Sequence, residues 1–182
     1  MINLQIGSSN PPVEMSIRQS ALTSASETLR HHLRAQVPNE EQYRTRDKTM
    51  KMRNESPSTV SRFLQFIKSK RYDVGTIGGE VEAIRIHLRM YIFAVKYQAT
   101  KLAKYSRAKA GAVLQGLVVA DAADIDITSA DLREEEGSGG NKAWENVCRK
   151  VIAGAEDREV RAIRTVLVKL IAPYVWRNSR EW

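Results

Sequence analysis

Residues 84–94, with the sequence IRIHLRMYIFA, decide the fold class of this 182-residue chain, because they fit two kinds of secondary structure. Every second residue of this stretch is apolar, as a half-buried strand requires. The same region also fits the three-four spacing of an amphipathic helix, which continues to Gly111. Residues 99–112 are rich in Ala, Lys and Leu, which are strong helix formers. We therefore predict one long helix from about Gly79 onward and a mainly α fold, with an α+β fold carrying a strand at 84–94 as the alternative.

Apolar stripes and capping residues predict further helices on both sides of this segment. From Ser16 the apolar residues recur at spacing four, which predicts a helix that ends before Pro38. A second, polar helix is predicted to start at Asn39 and run through Met52, and a third to start at Ser56-Pro57. The last two are predicted to begin at Asn141 and at Asp157, and the final one to stop at Pro173. The prediction is a single-domain helical bundle of about five helices.

Two segments are predicted to lie outside the helices. Residues 1–15 combine small, polar and Pro residues with almost no charge, which is typical of a flexible N-terminal arm. Residues 121–140 are acidic and end in GSGGN, which predicts an acidic loop. The predicted domain organisation is thus an arm over 1–15 followed by a single helical domain over 16–182.

The composition narrows the class of protein. The chain has 29 basic and 21 acidic side chains, a net charge of +8 and a pI of about 9.7, which favours a negatively charged partner. The single cysteine, Cys148, excludes an internal disulfide framework and favours a reducing compartment. The apolar runs fall short of the roughly 20 residues that span a bilayer, and no secretory signal is recognisable. We therefore expect a cytoplasmic or virion protein that is neither secreted nor membrane-spanning.

The residue patterns that carry catalysis or metal binding are missing from the sequence. His31 and His32 are adjacent, and side chains about 100° apart on a helix make a poor chelate, while His87 and Cys148 are isolated. Counted from Asp124, residues 124–135 resemble a calcium loop in having Asp126 third and Glu135 twelfth, but they lack its Gly and its third acid. Neither a phosphate-binding loop nor a nucleophile motif is recognisable. The prediction is a protein that is not an enzyme and has no metal, no cofactor and no small-molecule substrate.

The basic residues are concentrated before residue 111. Residues 16–72 carry 12 basic and five acidic side chains, whereas residues 111–140 carry seven acidic ones against Arg133 alone. Rows of Lys and Arg can follow a phosphate backbone, and Tyr43, Tyr97 and Tyr105 could stack on unpaired bases. The candidate nucleic-acid-binding residues are Arg44, Arg46, Lys48, Lys51 and Arg53 in one strip and Arg85, Arg89, Lys101, Lys104 and Arg107 in another.

These patterns favour a non-enzymatic RNA-binding structural protein with the character of a viral coat, nucleocapsid or matrix protein, which would act as a homo-oligomer and bind the phosphate backbone. One alternative is a peripheral matrix-like or adaptor protein that binds an anionic membrane surface or an acidic protein with the same cations. A second alternative is a sequence-specific DNA-binding regulator, because residues 58–95 could form a helix, a turn and a helix.

Overall fold

The computed structural model describes residues 1–9, 11–35, 48–75, 79–128, 148–153, 161 and 163–170. The described chain is mostly helical, with one small three-stranded sheet. The strands are β1 (Ile2–Ile6), β2 (Val13–Ile17) and β3 (Lys48–Met52), and the helices are α1 (Gln19–Ala25), α2 (Glu27–Ala35), α3 (Pro57–Ser69), α4 (Gly79–Lys96) and α5 (Thr100–Thr128). Residues 148–153 and 163–170 are also helical, in the regions where the last two helices are predicted. The mainly α class is confirmed, whereas the number of helices and their bundle arrangement remain predictions.

The segment at 84–94 is helical and lies within α4. Ile84, Ile86, Leu88 and Met90 are all at most 5% exposed, although successive members lie 200° apart around a helix. A helix that is buried on more than one side carries apolar residues on several faces. Its sequence therefore satisfies the two-residue spacing of a strand as well as the spacing of a helix.

The predicted single helix from Gly79 onward is interrupted at Gln98. Gln98 has a φ of 52°, in the left-handed region, and separates α4 from α5. The N–H of Ala99 donates to the carbonyl of Ala94 at 2.8 Å, and that of Gln98 donates to Val95 at 3.2 Å. This pair of hydrogen bonds is a Schellman motif, which ordinarily has Gly at the left-handed position. Because Gln stands there instead, the sequence carries no visible stop signal.

Gln98→Gly should raise the free energy of unfolding by about 0.5–1 kcal/mol, because a left-handed backbone costs a residue with a Cβ more than it costs Gly. Gln98→Val should instead lower it by about 1 kcal/mol or more, since β-branched residues tolerate this region least. Urea unfolding of the two variants and the wild-type chain checks the order. A Val variant as stable as the Gly variant would contradict the left-handed turn.

The first 15 residues, predicted as a flexible arm, contribute two strands. β1 is the central strand of the order β2-β1-β3, antiparallel to β2 and parallel to β3. Ile2, Leu4 and Ile6 are fully buried, while Asn3 and Gln5 lie on the opposite face of the sheet. The alternation in INLQI is a strand signal, and burial of three large apolar side chains provides the free energy that orders it.

The polar helix predicted from Asn39 through Met52 is wrong over its last five residues, which form β3. KTMKM alternates strictly, with Met50 and Met52 buried and Thr49 and Lys51 exposed. A strand of this length pairs with β1 only because the rest of the sheet is present. The predicted beginning of that helix, and Arg44 and Arg46 with it, lie outside the described residues.

The helix predicted from Ser16 to before Pro38 starts later, at Gln19, because Ser16 and Ile17 belong to β2. It is also broken into α1 and α2, because Ser26 takes an extended backbone with φ −147°. Leu22, Leu29 and Leu33 are fully buried, so the two short helices still present an apolar side to the core. The next predicted helix is confirmed as α3, with Ser56 at its N-cap position and Pro57 in its first turn.

The acidic stretch at 121–140, predicted as a loop, is helical over its first part. α5 extends to Thr128, so Asp121, Asp124 and Asp126 lie in its last turns. Residues 129–140 lie outside the described part of the chain. Ala120, Ala122 and Ala123 favour a helix here, and three acidic residues do not by themselves prevent one.

Candidate nucleic-acid interface

The net positive charge of the chain falls in one of two compact units. The first unit comprises Met1–Asp73 and Met90–Lys104, and the second comprises Val74–Arg89 and Tyr105–Trp182. Fifteen basic and seven acidic residues fall in the first unit, a net charge of +8, whereas 14 of each fall in the second. We call them the basic unit and the neutral unit.

Most cations of the basic unit that the structure describes are exposed to solvent. They outnumber the acids thirteen to four among the described residues of this unit. The exposed ones are Arg18, Arg34, Lys51, Arg53, Lys68, Lys70, Arg71, Lys96, Lys101 and Lys104. Like charges at this density create a positive potential over the surface, which attracts polyanions.

Lys51 and Arg53 line a cleft of about 340 Å³ at one end of the sheet, together with Gln5, Gly7, Ser8, Ser9 and Pro12. We call it the sheet-end cleft. Lys51 is an exposed residue of β3, and Arg53 is exposed in the turn that follows the strand. The cleft therefore combines two cations with two hydroxyl groups, which is a donor set suited to phosphate oxygens.

Gly7 shapes the loop that closes this cleft. Its φ is +81°, a conformation that side chains rarely adopt, and its N–H donates to the carbonyl of Met52 at 3.2 Å. This bond extends the pairing of β1 and β3 by one residue. As a result, Ser8 and Ser9 lie at the same end of the sheet as Arg53. Parallel pairing also puts Gln5 beside Lys51.

Lys48, the third candidate on this strand, faces the other way. It is 6% exposed, and its Nζ donates to Oε1 of Gln19 at 2.9 Å. Desolvation by burial lowers the pKa of Lys48. The two-residue period of β3 thus separates Lys48 from Lys51, so the predicted strip does not form one continuous row.

Lys101 lines a second and larger cavity, of about 550 Å³, which is bounded by residues of α1, α2, α3 and the start of α5. We call it the helix pocket. Lys104 is exposed one turn further along α5. The pocket also brings Arg30 and Lys70 to its wall, neither of which is in the strips predicted from the sequence.

Arg85 and Arg89 belong to the neutral unit and bind groups of the protein itself. Arg85 donates to the backbone carbonyls of Lys150 and Val151 and pairs with Glu82 at 3.0 Å. Arg89 approaches the same carboxylate at 3.5 Å. Both side chains thus have intramolecular roles in the neutral unit.

The other candidates differ in their exposure. Arg107 is exposed on the neutral-unit part of α5, and Tyr105 lies nearby with the Nζ of Lys109 5.9 Å from its ring centroid. Tyr97 is only 8% exposed, and its hydroxyl donates to Glu55 at 3.0 Å. Burial and the Glu55 carboxylate raise the pKa of Tyr97. Tyr97 therefore has no open face for a base, and Tyr43 lies outside the described residues.

Sequence reasoning overlooked the residues that complete the two cavities. Gly7, Ser8 and Ser9 were assigned to the flexible arm, and Arg30 and Lys70 come from separate helices. The signal for the loop was present, since Gly-Ser-Ser follows an alternating apolar run and precedes a pair of prolines. The helix pocket had no such signal, because it depends on how α1, α2 and α3 pack.

Within the described residues, no group of three or more His, Cys, Asp or Glu side chains is placed to hold a metal ion. No helix in that part of the chain is both long and apolar enough to cross a membrane. No family model matches the chain, and comparison with curated proteins and with solved structures gives no significant match.

Proposed function

We propose that this chain is a non-enzymatic RNA-binding structural protein whose basic unit contacts the phosphate backbone. The observation that carries the proposal is the segregation of charge, with +8 on the basic unit and zero on the neutral unit. Binding of a nucleic-acid backbone depends on the number of cations that replace condensed counterions. A cluster of cations on one unit can replace more counterions on one strand than the same number of cations dispersed over the chain.

Four of the residues predicted from the sequence are the proposed phosphate contacts. Lys51 and Arg53 act in the sheet-end cleft beside the hydroxyl groups of Ser8 and Ser9, and Lys101 and Lys104 act along α5. All four are exposed and belong to the basic unit. Lys48, Arg85 and Arg89 are left out of the proposal because their described partners lie within the protein.

The proposed contacts favour recognition of the backbone over recognition of a base sequence. Charged and hydroxyl groups that bind phosphate fix position without reading bases. The proposed role is therefore packaging or coating of RNA, as in small viral coat, nucleocapsid or matrix proteins, with several copies acting along one strand. Self-association is part of the proposal and has its own test in light scattering of the purified protein.

Titration against single-stranded RNA homopolymers, duplex DNA and anionic liposomes tests the proposal. Binding to RNA should weaken by about 50-fold between roughly 50 and 200 mM NaCl if each of the four residues contacts one phosphate. Affinity for poly(U) and poly(A) should agree within a few-fold. Binding to liposomes alone would overturn the proposal in favour of a membrane-associated matrix or adaptor role, and a strong preference for one DNA sequence would favour a regulator.

A further inference from the structure

We propose that the helix pocket binds one unstacked nucleotide of the RNA, with the base inside the pocket and its phosphate at the cationic rim. This inference rests on the proposed RNA-binding function and adds a ligand class to it. It assigns to the helix pocket a role different from that of the sheet-end cleft, where only the backbone is bound.

The size and floor of the pocket suit a flat aromatic ligand. Its volume of about 550 Å³ lies within the range of small-molecule sites, roughly 300–1,000 Å³, and exceeds what a bare phosphate fills. The accessible apolar part of the lining comes from Ala21 and Ala25, which are partly exposed, with small contributions from Phe66 and Ile67, which are 8% and 9% exposed. Bases bind well against aromatic and aliphatic side chains, because every base has an apolar face.

The rim of the pocket carries positive charge. Arg30, Lys70 and Lys101 all line it, and Glu27 is the one carboxylate among the lining residues. That carboxylate is paired with Arg30 at 2.8 Å, so it offsets one of the three cations. The net charge of the lining is positive, which favours an anionic group at the mouth of the pocket.

The polar groups of the wall favour a base over an alkyl chain. Thr23 and Ser24 donate their hydroxyl protons to backbone carbonyls of α1, which leaves the hydroxyl oxygens as acceptors. Gln98 and Thr100 add an amide and a further hydroxyl group to the lining. The edge of a base offers donors and acceptors to such groups, whereas an alkyl chain would desolvate them without replacement.

Calorimetric titration with AMP and UMP, alongside inorganic phosphate and a short alkyl phosphate, tests the inference on the full chain. The nucleotides should bind at least about tenfold more tightly than inorganic phosphate, because only they contact the apolar floor. Lys101→Gln should weaken nucleotide binding by about tenfold through loss of a charge-assisted contact. Ala25→Met, which places a larger side chain in the pocket wall, should reduce nucleotide binding further.

Lys68→Gln is the matched control, since Lys68 is exposed on α3 but does not line the pocket. Its nucleotide affinity should equal that of the wild type. Circular dichroism confirms that each variant is folded, and Lys101→Gln keeps the test valid if Ala25→Met does not fold. Equal binding of inorganic phosphate and nucleotides, or tighter binding of the alkyl phosphate, would overturn the inference.

The inference and the proposed function fail in different ways. Salt-dependent binding of RNA polymers without nucleotide binding in the pocket would overturn the inference and leave the proposed function intact. Absence of binding to any RNA polymer would overturn both. Nucleotide binding that Lys101→Gln and Ala25→Met leave unchanged would also overturn the inference, because the nucleotide would then lie elsewhere.

Discussion

Ser26→Ala should lower the free energy of unfolding by about 2–4 kcal/mol, because one hydroxyl group satisfies two buried backbone groups. Ser26 is 2% exposed; it accepts a hydrogen bond from the N–H of Leu29 at 3.1 Å and donates one to the carbonyl of Tyr97. The first bond caps the N-terminus of α2, and loss of such a cap costs about 1 kcal/mol. The second satisfies a carbonyl at the end of α4, and an unsatisfied buried carbonyl costs about 1–3 kcal/mol.

Ser24→Ala is the matched control for this substitution. Ser24 is exposed on α1 and donates only to the carbonyl of Ala21 within its own helix, so its removal should change stability by less than about 0.5 kcal/mol. Ser26→Thr retains the capping oxygen and should be intermediate. Urea unfolding followed by circular dichroism gives the three values. Equal stability of the two alanine variants would show that Ser26 does not join α2 to the end of α4.

Lowering the pH from about 7.5 to about 5 should remove roughly 2 kcal/mol of stability through His87 alone. His87 is 5% exposed, and burial, with a smaller contribution from Lys109, lowers its pKa to about 4. In the unfolded chain the pKa is about 6.5, so the unfolded state takes up the proton first as the pH falls. The contribution of His87 to the free energy of unfolding is fully present above about pH 6.5 and is lost as the pH falls toward 4.

His87→Gln removes this titration, so the free energy of unfolding of the variant should depend less on pH over the same interval, whatever its value at neutral pH. The control is the double variant His31→Gln and His32→Gln, because both histidines are exposed on α2. That variant should keep the wild-type pH dependence. Urea midpoints at a series of pH values between about 5 and 7.5 provide the comparison. An unchanged slope in His87→Gln would contradict the burial of a neutral imidazole.

Local sequence patterns predicted the helices that depend on their own caps and apolar stripes. α3 carries Ser56, Pro57 and one apolar side, and these signals hold without knowledge of the rest of the chain. α4 was predicted as a helix because its spacing continues beyond any reasonable strand length. The end of α4 was not predicted, because Gln98 takes the left-handed conformation at a position where Gly is usual.

The sheet was missed because its strands are short and cooperate over long distances in sequence. β1 and β3 are five residues each and are separated by β2, two helices and the segment at 36–47. The apolar alternation in INLQI and in KTMKM does not predict a strand for either segment alone, because strands this short are stable only when they pair. The same pairing brings the Gly7–Ser9 loop to Lys51, so the sheet-end cleft could not be anticipated from the chain order alone.

The sequence predicted the number of cations in this part of the chain better than it predicted the direction of each cationic side chain. The concentration of Lys and Arg before residue 111 is visible in the sequence, and the basic unit contains most of it. The direction of each side chain depends on the element that carries it. β3 turns Lys48 inward and Lys51 outward, and Arg85 binds carbonyls near Val151 that are far away in sequence.

The most direct test compares two triple variants that remove the same charge from different units. Lys51→Gln, Arg53→Gln and Lys104→Gln neutralise exposed cations of the basic unit, and Arg161→Gln, Arg164→Gln and Lys169→Gln neutralise exposed cations of the neutral unit. Poly(U) affinity of each is measured over a range of salt concentrations. In the basic-unit variant the slope of log affinity against log salt should fall by about 2, at about 0.7 per lost contact, whereas the neutral-unit variant should match the wild type. Equal losses in both variants would contradict RNA binding by the basic unit.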